Sequence, residues 1–559
     1  MNQPTDTRIL ASERKWLLGF SLVVALFTSL PYLLGIGAQG NDWRFSGFVF
    51  GIEDGNSYIA KMLSGAAGDW LFRTPYTSLE QDGFLAFSPY ILLGKLSAPP
   101  AQHEQLLALY HIYRVAAGLL AILATYDFVA LFIREIKVRR MAIMLITLGG
   151  GLGWVLVLFG VDQIFGSPPL EFYSPETFGF LSLYGLPHLA AARALLLWGI
   201  RSYLIYGRAN RVERVFARSP LRSTLPGWLF LGIGFFQPLT IVIGWAVIGA
   251  HGLGLLLLNF RQIYSGSGPG RAAWSGYFRQ GVITVLISAP FVIYTFAAFS
   301  LDPFLRAWQK QNLILSPHPI HYVFAYGLLM PGAILTVVKI MSAHKRTGEN
   351  EQHIVLAAWV FLFPFLAYAP YGLQRRLPEG VWVAIVILAL LNINLDLLPR
   401  LGLYSLVGAT LPSTLILVIG GMIYTREQAI PTYRPASEVD AFLTLAESAK
   451  PGEVVLSSYS TGNALPTWAP LAVVIGHGPE SAGLAELEPL VAAFFQQETS
   501  DQERLNFILD EQISYIFWGP SERALGDWNP GSALYLREII RVDEYAVFRV
   551  RRETPGENP

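Results

Sequence analysis

Cysteine is absent from the 559 residues, which excludes disulfides, thiolate metal sites and cysteine nucleophiles and leaves the redox compartment unmarked. Charge is scarce as well: Asp, Glu, Lys and Arg make up 14% of the chain, and 40 basic residues balance 40 acidic ones. A net charge of zero carries no electrostatic footprint for nucleic acid, so none is expected as a partner. What is plentiful is apolar surface. With 53% hydrophobic and 13% aromatic residues and a mean hydropathy of +0.43, the chain is too apolar for an ordinary soluble enzyme and reads as a polytopic membrane protein among membrane lipids.

The first apolar run, about 16–36, follows Arg8, Arg14 and Lys15 and lacks a small-residue cleavage site. It is expected to be an uncleaved first span with a cytoplasmic N-terminus. A long outer loop, about 37–105, comes next, and loops of that length are usually functional. The span 106–133 ends in Arg134, Lys137, Arg139 and Arg140, a cytoplasmic mark. The expected span 141–160 contains Gly149-Gly150-Gly151-Leu152-Gly153, which no P-loop lysine follows, so close helix packing is its expected use. A span opened by Leu186-Pro187-His188 leads to the basic stretch Arg208, Arg211, Arg214, Arg218 and Arg222. The run 227–260 is too long for one span and reads as two short helices meeting outside at Gln237-Pro238. Spans near 281–299, 321–341, 354–370, 381–398 and 403–424 bring the count to about eleven, an odd number that leaves the C-terminal region outside.

From about 425 the composition becomes that of a soluble domain. Short buried strands are expected at 454–456, 471–475 and 513–518, with helices near 484–496 and 501–511. The predicted fold class is therefore mainly α, a polytopic transmembrane helical bundle (1–424), with a small C-terminal α/β extracytoplasmic domain (425–559). That domain has no dinucleotide fingerprint and no metal-spaced histidines.

The chemistry concentrates in the first outer loop, at Gly51-Ile52-Glu53-Asp54-Gly55-Asn56-Ser57-Tyr58-Ile59-Ala60-Lys61-Met62. Adjacent carboxylates stand at an expected helix start, with Asp54 or Asn56 as N-cap. The i, i+4, i+7 spacing puts Asp54, Tyr58 and Lys61 on one face. His188, Gln237, Lys310, Arg375 and Arg376 fall on the same side of the membrane on separate segments. Arg375 or Arg376 would hold a phosphate through a planar charged fork, with Lys61 or Lys310 as point charges. An opposing carboxylate would deprotonate an acceptor hydroxyl or hold a divalent cation, Mg²⁺ or Mn²⁺, bridging to the phosphate.

Each residue has a plainer role beside that one. Asp54 caps a helix, Glu53 is a solvated loop acid, His188 sits at an interface, Arg375 and Arg376 anchor a loop at the headgroups, and His477 is a turn residue. Arg193 and Arg201 lie within an expected span and are costly unless partnered.

With its inside N-terminus, the acidic pair Glu53-Asp54 soon after the first span, about eleven spans and an outer C-terminal domain, the chain resembles the GT-C superfamily of integral-membrane glycosyltransferases. It is also similar to a group of bacterial membrane proteins sharing Asp54 to Met62, Leu186-Pro187-His188, Gln374-Arg375-Arg376, Gly476-His477-Gly478-Pro479-Glu480 and Tyr515 to Arg523. The resemblance implies transfer of a sugar from a polyprenyl-phosphate-linked donor to a glycan, lipid or protein acceptor on the outer side of the bacterial inner membrane. An acidic residue of the first outer loop would serve as base or metal ligand, a role that falls on Glu53 or, preferably, Asp54. The outer domain lacks the tryptophan-rich sequon-binding motif expected of oligosaccharyltransferases, which argues against protein N-glycosylation. The rival class is a polar-lipid transporter or flippase, or a non-catalytic assembly subunit. Transporters carry paired charges near the midplane and often inverted repeats. No repeat is evident, and most of the charged candidates sit at one face.

Overall fold

The computed structural model describes residues 9–208, 220–266, 268–347, 351–391 and 400–551; Arg211, Arg214 and Arg218 lie outside them. The chain is mostly helical and divides into two compact units. Unit one comprises Met1–Ser29, Tyr113–Ala297 and Ile314–Gly420, and unit two Leu30–Ile112, Ala298–Leu313 and Gly421–Pro559.

Among the described residues, four helices are long and apolar enough to cross a membrane: Ala11–Ala38, Gln102–Val129, Pro238–Leu258 and Gly270–Leu301. The pair Ile320–Tyr326 and Met330–His344, bent by 81°, would make a fifth. Several expected spans are shorter or broken. The run expected at 403–424 is two helices, Arg400–Thr410 and Pro412–Tyr424.

The glycine run interrupts the span expected at 141–160. Helix Ile136–Leu148 stops at Gly149, and a separate short helix spans Gly153–Leu158. The freed backbone is satisfied from outside the run: Gly150 N donates to Thr410 O at 2.7 Å and Gly153 N to Glu171 Oε1 at 2.6 Å. Close approach is nevertheless what these glycines allow, since a Cβ on Gly151 would stand 2.7 Å from the Cα of Ala325.

Two buried arginines of unit one find their carboxylates within it. Arg193, on helix Pro187–Arg208, forks onto Glu379 at 2.5 and 3.0 Å and also donates to the carbonyls of Phe178 and Pro175. Arg139 meets Glu13 at 3.1 Å.

Unit two is built on a five-stranded sheet of order β4-β3-β5-β7-β6. Its strands are β3 (Val454–Leu456), β4 (Ala472–Val473), β5 (Ile513–Trp518), β6 (Leu536–Val542) and β7 (Tyr545–Val550). β3 runs parallel to β4 and β5, and the β5-β7-β6 edge is antiparallel. Alternation along the strands sends Val455, Tyr515, Phe517 and Val547 into a core with helix Ala436–Ser448. Leu456, Ile516 and Phe548 point the other way, into a core with helices Leu484–Phe494 and Asp501–Asp510. Burial on both faces is why β3 and β5 read as continuous apolar runs.

The first long loop belongs to this same unit. β1 (Trp43–Phe45) pairs antiparallel with β2 (Tyr433–Pro435), and Val473 N donates to Pro75 O at 2.8 Å. The loop's helix, Ile52–Ala66, packs on helix Ser88–Gly94 so tightly that a Cβ on Gly94 would overlap the carbonyl of Met62.

Candidate active site

Helix Ile52–Ala66 begins at Gly51, whose left-handed backbone (φ 57°) makes no side-chain cap. Neither Asp54 nor Asn56 is the N-cap. The helix starts ahead of both, at the left-handed Gly51, so Glu53 and Asp54 occupy the first turn, where free N–H groups favour negative charge. Asn56 is buried instead and donates to Asn463 Oδ1 at 2.7 Å.

The face carrying Asp54, Tyr58 and Lys61 is graded from solvent to core. The side chain of Asp54 is 56% exposed. Tyr58 is buried and stacks on Tyr90 with 4.7 Å between ring centres. Lys61 has no exposed side-chain surface and pairs with Glu480 at 2.6 Å. Around its ammonium lie the rings of Phe87, Phe72 and Tyr58 at 4.4, 5.2 and 5.7 Å. Such rings favour a cation but do not solvate it, so the carboxylate of Glu480 carries the compensation.

Glu480 is saturated with donors. Its Oε1 accepts from Lys61 and from Ser57 Oγ at 2.7 Å, and its Oε2 from Thr74 Oγ1 at 2.6 Å; Ser57 Oγ in turn accepts from Lys61. Burial alone would raise the Glu480 carboxyl, but Lys61, His477 and Thr74 together hold it below the usual carboxylate range. Burial draws Lys61 below the ordinary lysine range against the pull of Glu480. The two directions oppose each other in the pair's charge balance; the carboxylate's is the firmer, because several separate donors fix it.

His477 joins this cluster to Asp54. Its Nε2 lies 3.2 Å from Asp54 Oδ1 and its Nδ1 3.9 Å from Glu480 Oε1, and only 6% of its side chain is exposed. A carboxylate partner requires the proton on Nε2. The ring of Tyr76 lies 5.4 Å away, its phenol held well above its ordinary range by burial and by Glu480. That phenol donates to Asn463 O at 3.1 Å. Glu53 accepts from Tyr459 OH at 3.1 Å.

The segment Gly476-His477-Gly478-Pro479-Glu480 is held rigidly. Gly476 is needed for packing, because a Cβ there would stand 2.4 Å from the carbonyl carbon of Gly462. Ser481 Oγ accepts from the backbone of Gly476 and His477 at 3.0 and 3.1 Å, and Gln311 Nε2 donates to the carbonyls of Pro479 and Ser481 at 2.8 and 2.7 Å. His477 opens a turn, as expected from sequence, its carbonyl accepting from Ser481 N at 2.8 Å, and its side chain is in addition a buried partner of Asp54. Ser57, Thr74 and Glu480 carry no signal of this role in the sequence beyond a histidine and an acid framed by two glycines and a proline.

Lys310 is exposed on helix Pro303–Gln311 of unit two. The remaining candidates lie in unit one. His188 is buried at the start of helix Pro187–Arg208, and Gln237 is the residue preceding helix Pro238–Leu258. Arg375 and Arg376 sit in a single 3₁₀ turn, Gln374–Arg376. Arg376 reaches Glu176 at 3.5 Å. The guanidinium of Arg375 lies 4.5 Å over the ring of Tyr173, and its Nε is buried with no hydrogen-bond partner among the described residues. Among the described residues no cluster of three or more His, Asp or Glu is placed to hold a metal ion.

No protein-family model and no curated protein sequence matches this chain. Solved structures do. The oligosaccharyltransferase of Archaeoglobus fulgidus, tethered to an acceptor peptide containing the NVT sequon, superposes with a TM-score of 0.51 at 14% identity, over 90% of this chain and 69% of its own. The same organism's AglB, in complex with an inhibitory peptide and a dolichol-phosphate, gives 0.51 at 11% identity over 91% and 70%. ArnT from Cupriavidus metallidurans, bound to undecaprenyl phosphate, gives 0.48 at 12% identity over 95% and 98%. At such identities the likeness is one of fold alone, and it rests on the two Archaeoglobus fulgidus structures.

Proposed function

We propose that this protein transfers a sugar from a polyprenyl-phosphate-linked donor to an acceptor hydroxyl, with Asp54 as the base. The observation that carries the reading is an exposed carboxylate, in the first turn of a buried helix, held by a buried imidazole in a chain with the GT-C fold. Asp54 takes the acceptor's proton. The acceptor oxygen bonds to the anomeric carbon as the bond from that carbon to the donor's phosphate oxygen breaks, and polyprenyl phosphate leaves with the electron pair. The Nε of Arg375, without a hydrogen-bond partner among the described residues, supports that residue as a phosphate ligand.

Among the described residues no three His, Asp or Glu side chains cluster to hold a metal ion. Were a divalent cation, Mg²⁺ or Mn²⁺, bound, Asp54 would be its protein ligand in place of acting as base, and the ion would supply charge neutralisation at the donor phosphate. The protein is proposed to lie in the bacterial inner membrane with a cytoplasmic N-terminus and unit two outside. Because native cysteine is absent, Ser532→Cys tests this directly: a membrane-impermeant maleimide added to whole spheroplasts is expected to label it, and labelling only after lysis would reverse the orientation.

The defining experiment offers the purified protein a panel of radiolabelled polyprenyl-phosphate sugars, with and without Mg²⁺ or Mn²⁺, beside Asp54→Asn. Release of label by the wild type alone establishes transfer and names the donor. Release by neither shifts the weight to a transport or scaffold role.

A further inference from the structure

We infer that His477 is a positioning residue for Asp54, fixing its carboxylate toward the acceptor; this rests on the transfer reaction proposed above. Asp54 stands on an exposed first turn, where a short carboxylate left to itself samples several rotamers, and an orientation lost at the reacting atom costs rate steeply. His477 supplies a donor that cannot wander. Its side chain is buried, its backbone is pinned by Ser481, its loop by Gln311 and its approach by the Gly476–Gly462 contact. Nε2 takes Asp54 at 3.2 Å while Nδ1 faces Glu480 at 3.9 Å. Glu480 is in turn committed to Lys61, Ser57 and Thr74. The exposed acid is thereby held by an imidazole fixed through its own backbone and burial, whose Nδ1 makes no hydrogen bond among the described residues.

Two variants separate positioning from bulk structure. His477→Gln keeps an N–H close to the place of Nε2, whereas His477→Ala removes it. Expected is a fall in kcat of about tenfold or more for His477→Ala at unchanged KM for the donor, with His477→Gln restoring kcat to within about threefold of wild type. Wild-type kcat in His477→Ala, or no recovery in a folded His477→Gln, overturns the inference.

A second measurement does not depend on turnover. In full-length protein carrying ¹⁵N-histidine, the ring resonance that disappears in His477→Gln is expected to shift in Asp54→Asn. An unmoved resonance overturns the pair even if His477→Ala fails to fold. A shifted resonance in a protein that transfers no sugar from any donor leaves the pair standing and removes the transfer reading.

Discussion

Lys61 and Glu480 lie 2.6 Å apart with 0% and 4% of their side chains exposed, although 419 residues of chain separate them. Removing one partner leaves an uncompensated buried charge, which costs about 3–5 kcal/mol, whereas replacing both by apolar residues of similar volume is often close to neutral. Lys61→Met and Glu480→Gln are each expected to lower the thermal unfolding midpoint in detergent, and Lys61→Met/Glu480→Leu to recover most of the loss. Equal destabilisation by the double variant would show that the ion pair is not what the site depends on.

The same pair sets a pH dependence. The Glu480 carboxyl is held below its ordinary value of 4.5 in the folded chain, so the folded state binds its proton less readily than the unfolded one. Its stabilisation is fully present above pH 4.5 and is lost as pH falls through the depressed value. Lys61 is also depressed from its ordinary 10.5, and its contribution therefore improves as pH rises toward that value. Wild-type protein should lose more of its unfolding midpoint than Glu480→Gln does between pH 5 and about pH 3; parallel curves would deny Glu480 the charged state described here.

Glu53 and Asp54 are adjacent but differently placed. Glu53 is bonded to Tyr459, and Asp54 to His477. Asp54→Asn is expected to reduce transfer by about 10²–10⁴-fold, the usual worth of a general base, with expression and unfolding midpoint unchanged. Glu53→Gln should stay within about tenfold of wild type. The reverse ranking in a single-turnover assay would move the base to Glu53.

Arg375 and Arg376 also divide, because Arg376 is occupied by Glu176 whereas Nε of Arg375 has no hydrogen-bond partner among the described residues. Arg375→Lys loses the planar fork that matches a phosphate. A rise of about tenfold in donor KM is expected for Arg375→Lys, and a smaller one for Arg376→Lys. An unchanged KM for Arg375→Lys would leave phosphate binding to other groups.

Much of the architecture follows from local pattern. Apolar runs announce the spans Ala11–Ala38 and Gln102–Val129, and the expected strands at 454–456, 471–475 and 513–518 correspond to β3, β4 and β5. Strands β6 and β7 are not legible in the sequence because Arg537, Glu538, Arg541 and Arg549 break their apolar pattern, while β1 and β2 are three residues each and exist only through each other. The glycine run between Leu148 and Gly153 marked close packing from sequence, but whether it also broke the helix depended on Thr410 and Glu171 satisfying the exposed backbone.

What the sequence by itself determined is a mainly helical chain with runs long and apolar enough to cross a membrane, and a polar stretch at Glu53 to Lys61 with its acidic pair at a helix start, all consequences of residue type and short spacing. Only the tertiary structure decided that Lys61 is spent on Glu480 instead of facing solvent, and that His477 is the partner of Asp54. Those pairings join residues more than 400 positions apart, and no local periodicity encodes them. They arise because the first loop and the C-terminal segment bury polar side chains in one common unit, where each must find a donor or acceptor from the other.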